Sequence, residues 1–280
     1  MLRLYFGLCL TLGFALSYCA GYVQTVCASP TPTPAQEKNN QTLIAQLRSS
    51  STNGRSNAFI GVQYIPVKFH VITKSDGTGS VPLAAINQAL AIANAYYSNA
   101  NIQFYFAGAG VNIIQDNTFY NYSFLQENVL CTPNDVDNAI NVYLPNTINY
   151  NSNNVTGYAY FPSQDKTSNR VFMANNGPFV KTFMHEIGHY FNLYHTFQDN
   201  QNSAISKREL VNRGAGANCA TTGDFVCDTP ADPYGLFGAN VGSCIYTGTI
   251  TDVQGNLFTP SLTNIMSYYS ESCGNTFTAE

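Results

Sequence analysis

The run His185-Glu186-Ile187-Gly188-His189-Tyr190-Phe191-Asn192-Leu193-Tyr194-His195 holds three of the four histidines in a chain of 280 residues. His185 and His189 stand four apart, so on a helix they share one face and can address one ion. Glu186 falls about 100° round the helix from His185, at the rim, where it can meet a water on the ion rather than the ion. Continuing the same helix would carry His195 about 120° off the ligand face. The helix therefore ends between His189 and His195, and the chain turns back. Asn192 is the expected turning point, because asparagine tolerates the left-handed backbone region better than other non-glycine residues. Three imidazoles with an adjoining glutamate suit zinc with a fourth position left for water.

A lone H-E-x-x-H can match by chance. Here the third histidine stands at a usable spacing, and histidine is rare elsewhere. Phe179-Val180-Lys181-Thr182-Phe183-Met184 leads into the site with helical periodicity. Upstream, Tyr64–Thr73 alternates Val67, Phe69 and Val71 against Lys68 and His70, as a half-buried strand does, which puts His70 on the polar surface. Val81–Ala100 reads as an amphipathic helix through Leu83, Ile86, Leu90, Ile92 and Tyr96. Short strands are expected at Ile102–Phe106, Ala139–Leu144, Gly157–Phe161 and Arg170–Ala174. Gly157–Phe161 would be an edge strand on which an extended peptide can pair by main-chain bonds.

Composition fits an exported protein. Only 10% of residues are charged, and the net charge of −4 offers no basic footprint for nucleic acid. Tyrosine and phenylalanine (19 and 18) supply a core in the absence of tryptophan. One domain with an N-terminal extension is the natural count at this length.

Residues 1–28 read as a signal peptide: Arg3, the apolar stretch Leu4–Ala20, and the small-residue site Val26-Cys27-Ala28. Ala20 is an alternative cleavage point. An uncleaved anchor ranks below, since Leu4–Ala20 is at the short edge of a bilayer span. A lipoprotein reading through Cys19 ranks lower still, with bulky Tyr18 before it. Residues 29–57, opening Ser29-Pro30-Thr31-Pro32-Thr33-Pro34, look like a linker or short pro-segment. The folded domain is expected over 58–280, split at 192/193 into N- and C-terminal subdomains.

From about Ile60 onward the chain resembles the metzincin metalloproteases. Asn264-Ile265-Met266-Ser267-Tyr268-Tyr269 looks like their Met-turn. His195-Thr196-Phe197, Gly223-Asp224-Phe225-Val226-Cys227-Asp228-Thr229-Pro230 and Cys273-x-x-x-Phe277-Thr278 resemble the pappalysin type, in its cytophagalysin-like secreted branch. Asn192 stands where that family usually has glycine. The resemblance implies an α+β fold: a twisted mixed sheet with a backing helix and the active-site helix, then an irregular, disulfide-stapled subdomain carrying the Met-turn. It implies a secreted zinc endopeptidase acting on protein or peptide substrates, free of the membrane once the signal is removed. Glu186 would be the general base, Tyr268 would stabilise the oxyanion, and Met266 would floor the histidines. Family pro-segments often occupy the zinc, and Cys27 is a candidate for this if cleavage falls at Ala20.

Cys219, Cys227, Cys244 and Cys273 suggest two disulfides in an exported protein, with three pairings open to the sequence. The resemblance favours Cys219–Cys244 with Cys227–Cys273, and leaves Cys131 as a buried free thiol. It also suggests a calcium ion at Asp224 and the Thr229 region, where ordinary turn-forming aspartates are an equal reading. Two further readings stand beside the endopeptidase: an inactive metzincin-fold peptide binder, and an adhesin whose zinc is closed by a fourth protein ligand. Related proteins usually continue through a closing helix beyond Phe277-Thr278-Ala279-Glu280. Substrate specificity and oligomeric state are not legible in the residues.

Overall fold

A computed structural model of the chain describes residues 27–30, 32–52, 61–163, 165–176, 179–198, 204–274 and 276–278. The signal-peptide reading therefore lies, apart from Cys27 and Ala28, outside the described residues. In chain order the larger elements are α1 (Pro34–Thr52), β1 (Gln63–Thr73), α2 (Leu83–Tyr96), β2 (Ile102–Phe106), β3 (Asn112–Gln115), α3 (Asn117–Tyr120) and β4 (Asn121–Ser123). Then come α4 (Glu127–Cys131), β5 (Ile140–Leu144), β6 (Thr147–Tyr150), β7 (Asn153–Val155), β8 (Gly157–Ala159), β9 (Arg170–Met173) and α5 (Phe179–Tyr190), with the hairpin β10 (Val241–Gly242) and β11 (Ile245–Tyr246) after them.

The main sheet runs β2-β1-β5-β9-β8, with β3 also on β1. Its pairs are parallel except β8 on β9. Period-two alternation divides its side chains between two cores. Val67, Phe69, Val71, Val142 and Val171 face α2 and α5, meeting Ile86, Leu90, Phe183 and Ile187. Ile72, Tyr143, Phe172 and Tyr158 face the other way, against Tyr122, Leu130 and Ile148 from the segment carrying the small sheet β4-β6-β7. The fold is thus the expected α+β arrangement, a mixed sheet backed by one helix and by the helix of the histidines.

Two expectations are corrected here. His70 is not on the surface but fully buried. β1 is a central strand of a largely parallel sheet, and the layer carrying Tyr122, Leu130 and Ile148 covers its second face too, as in parallel sheets generally. The disulfides are Cys219–Cys227 and Cys244–Cys273, not Cys219–Cys244 and Cys227–Cys273. The left-handed residues Gly223 and Phe225 fold the intervening loop back on itself, which brings Cys219 and Cys227 together. Cys244, on the tight turn of the β10–β11 hairpin, is then left to reach Cys273. Cys131 is buried and unpaired.

The stretch read as a linker contains α1. Thr33 and Gln36 form a reciprocal cap there: Gln36 N–H donates to Thr33 Oγ1, and Thr33 N–H to Gln36 Oε1. Pro34 takes the first helical position, where proline's missing N–H costs nothing. Among the described residues no helix is long and apolar enough to cross a membrane.

Candidate metal centre

Helix α5 ends in a Schellman arrangement. Asn192 N–H donates to His189 O, Leu193 N–H donates to Gly188 O, and Asn192 sits at φ +75°. This turn brings His195 back over the face that carries His185 and His189. The three Nε2 atoms lie 3.1–3.2 Å from one another. His185 Nδ1 donates to Ile265 O and His189 Nδ1 to Leu193 O, each at 2.7 Å, which leaves both Nε2 atoms as acceptors. Burial pushes His185 down to about 4, and holds His189 and His195 well below the ordinary value, their neighbouring imidazoles adding to the effect.

Neutral lone pairs facing one another at this spacing repel unless a cation sits between them. Four-coordinate zinc with nitrogens at about 2.0–2.1 Å spaces them about 3.3 Å apart, so the donor set fits zinc. Cys27 Sγ joins the same cluster, all four ligand atoms lying within 4.8 Å of one another, and this is the one such group among the described residues.

Cys27 arrives on the free edge of β8. It bridges Gly157 in parallel, and Ala28 N–H donates to Gly157 O at 3.0 Å. Ser29 continues the contact, its hydroxyl accepting from Ala159 N–H at 3.0 Å and donating to Glu186 Oε2 at 3.1 Å. The Cys27 thiol also donates to Glu186 Oε2, at 3.4 Å. Glu186 is enclosed, and burial lifts it to about 8 against the lowering effect of these two donors. Its carboxylate lies over Gly157, where a Cβ would come within 2.8 Å of Oε1.

Tyr268 closes the opposite side. Its hydroxyl donates to Cys27 O at 3.0 Å and accepts from Cys27 N–H at 3.1 Å, and its ring packs 4.9 Å from that of His195. Met266 lies beneath: a Cβ on Gly188 would collide with its sulfur, so glycine in the zinc helix is what lets the two segments touch. Glu186, Tyr268, Met266 and the three histidines are thus brought together. Asp224 and Thr229 are outside this cluster; both are buried, Asp224 Oδ1 accepting from Val226 N–H and Thr229 bonding Thr278.

The sequence offers Cys27 only as a pro-segment thiolate conditional on cleavage at Ala20, since nothing local ties it to a site 159 positions on. It misses Asp232, which beside Pro233 cannot be told from the other turn-forming or cation-binding aspartates of the loop that starts at Asp224.

Residues 83–196 match the Reprolysin-like model of metallopeptidase family M12B. An extracellular metalloprotease of Colletotrichum graminicola is 26% identical over 272 residues, covering 91% of this chain and 86% of the relative. One from Pyricularia oryzae is 25% identical, covering 90% and 84%. Among solved structures, a point mutant of Tannerella forsythia promirolysin superposes with a TM-score of 0.59 at 18% identity, over 90% of each chain. Fold, histidine cluster and these matches define a metallopeptidase, and a zinc-dependent one. Its substrates are accordingly proteins or peptides.

Proposed function

We propose that the chain is a secreted zinc endopeptidase made as a latent precursor, with Glu186 as general base. The observation that carries this is the meeting of three convergent Nε2 atoms, Glu186 and the Cys27 segment on one sheet edge. Zinc, when bound, supplies Lewis acidity and lowers the pKa of water in its open position. Glu186 takes the proton of the attacking water and returns it to the leaving amine. Tyr268 offers its hydroxyl to the developing oxyanion, and Met266 holds the floor under the imidazoles. The edge of β8 aligns the substrate backbone, as it aligns Cys27–Ser29.

On this reading residues up to 57 serve export and latency, and 58–280 form the catalytic domain, divided at 192/193. Cleavage after Ala28 would cut through the segment lying in the cleft. We therefore place the end of the leader at Ala20, which leaves Cys27 in the pro-segment. The curated relatives described as extracellular support export. The finer assignment, to the pappalysin type and its cytophagalysin-like branch, rests on the phrases around Met266, Asp224 and Cys273. A calcium ion at Asp224 belongs to the same resemblance. There burial first, and Asp232 among the charges, keep Asp224 up at about 7, and a cation would offset this. Millimolar calcium should raise the melting temperature of the full chain; an unchanged value removes calcium.

The test is cleavage of casein and a quenched fluorescent peptide by the Cys27→Ala chain, beside Glu186→Ala in that background. Chelator-sensitive cleavage, lost by about 10²–10⁴-fold without Glu186 while one zinc stays bound, is expected. Cys27 also gives a second reading some support, because a fourth protein ligand closes a structural zinc site. Zinc retained with no cleavage in Cys27→Ala would favour that structural role.

A further inference from the structure

One buried carboxylate joins the two segments that carry the last groups of the site. Asp232 is 1% exposed. Its Oδ2 accepts from the hydroxyls of Thr196 at 2.5 Å and Ser267 at 2.7 Å. Its Oδ1 accepts from the Tyr269 hydroxyl at 2.7 Å and the Tyr234 N–H at 2.9 Å. Thr196 directly follows His195. Ser267 follows Met266, and with Tyr269 it brackets Tyr268.

Neither segment belongs to a helix or strand that would hold it. A backbone bond from Thr196 N–H to Met266 O, at 3.3 Å, is the further tie between them. The rings of His185 and His189 are also steered by carbonyls at Nδ1. No such bond steers His195 among the described residues. Its ring stacks on Phe197 at 4.9 Å and packs against Tyr268. Both partners ride on the segments that Asp232 fastens together.

We propose that Asp232 is a positioning residue for the metal centre, setting the third ligand and Tyr268 at once. Four donors on two oxygens stabilise its charge in the interior, where an unpaired carboxylate would be costly. Because one carboxylate holds both sides, its loss moves His195 and Tyr268 together. Hydrogen-bond partners just outside a metal's ligands typically control affinity by about 10–100-fold. The kinetic part of the inference rests on the peptidase reading, whereas the metal part does not.

The experiment uses the full chain carrying Cys27→Ala, so that the histidines alone are read. Zinc affinity is measured by competition with a chromophoric chelator, and kcat and KM on a quenched peptide. Asp232→Asn keeps shape and removes one acceptor. It should weaken zinc by about 10-fold or more and lower kcat while KM stays within about twofold. In its presence Tyr268→Phe should cost much less than it does alone, because the two residues act as a unit. Zinc affinity within about twofold of the parent, or losses that simply multiply, overturns the proposal. Should Asp232→Asn fail to fold, Thr196→Val and Tyr269→Phe cut the same clamp one side at a time. Thr196→Val should weaken zinc and Tyr269→Phe should lower kcat; neither effect appearing overturns it equally. Absence of peptidase activity in the parent would sink the peptidase reading and leave the zinc measurement decisive here.

Discussion

Cys27 Sγ lies 3.4 Å from Glu186 Oε2, although the two residues are 159 positions apart. The same sulfur belongs to the histidine cluster, so one side chain stands both where a metal takes its fourth ligand and against the base. A thiolate binds zinc far more strongly than water does. Replacing Cys27 with alanine should raise peptide cleavage by the full chain by about tenfold or more, corresponding to about 1.4 kcal/mol of lost competition. Equal initial rates for the parent and Cys27→Ala chains would remove this residue from any latency mechanism.

Gly157 holds the base in place by what it lacks. A Cβ there would come within 2.8 Å of Glu186 Oε1 and 2.9 Å of both Phe172 O and Thr182 Cγ2. The carbonyl belongs to the sheet and cannot retreat, so the carboxylate must. Displacing a catalytic group by about 1 Å can cost about 10²-fold in rate. Gly157→Ala is therefore expected to lower kcat by that order while zinc stoichiometry, read by metal analysis, stays at the parent value. Unchanged kcat would mean that Glu186 has room to move without loss.

The zinc helix could be read from the sequence because its evidence is local. His185, His189 and Glu186 declare a face, and the misfit of His195 to the same helix calls for the turn at Asn192. β8 was legible as a strand for a similar reason, whereas its place at the edge of the sheet came with the metzincin arrangement and not from its own residues. What stayed hidden depends on the course of the chain between elements. The disulfide pairing follows from backbone turns at Gly223 and Phe225, and Phe225 is not a residue whose type announces a left-handed turn. His70 alternates correctly with its apolar neighbours, but alternation cannot say that a second layer covers the polar face. Asp232 has a role only once Thr196, Ser267 and Tyr269 have been brought to it from two other segments.

Asn192 does its work under strain. It adopts φ +75°, a region where a side chain costs about 1–2 kcal/mol, and its Oδ1 is buried without a hydrogen-bond partner. Glycine removes both penalties and keeps the Schellman bonds, which are made by main-chain atoms. The extra freedom of glycine in the unfolded chain takes back part of the gain, about 0.4–1 kcal/mol. Asn192→Gly should thus stabilise the chain by about 1 kcal/mol in urea unfolding and leave zinc affinity unchanged or tighter. A destabilised variant would show that the Asn192 side chain contributes something these contacts omit.

His70 should make the fold sensitive to mild acid. Its Nε2 donates to Asn141 Oδ1 at 3.0 Å and its Nδ1 accepts from Asn112 Nδ2 at 3.1 Å, so the ring is bonded as the neutral form. Burial pushes it down from 6.5 to about 4; the bond to Asn141 only partly opposes this. The unfolded chain therefore takes up a proton between these two values that the folded chain refuses. Stability from this group is present in full above about 6.5 and falls as pH drops towards 4, by up to about 3 kcal/mol. Glu209 and Asp224, lifted to about 8 and about 7 chiefly by burial, act in the opposite sense as pH rises, so total stability is not the right readout. The useful quantity is the difference between the parent and His70→Gln, whose amide can keep the bond to Asn141 but does not titrate. In urea unfolding that difference should shrink steadily from pH 7 to pH 4.5, as the parent alone loses this increment. Two curves that stay parallel across the window would mean that His70 is protonated in the folded chain as readily as in the unfolded one.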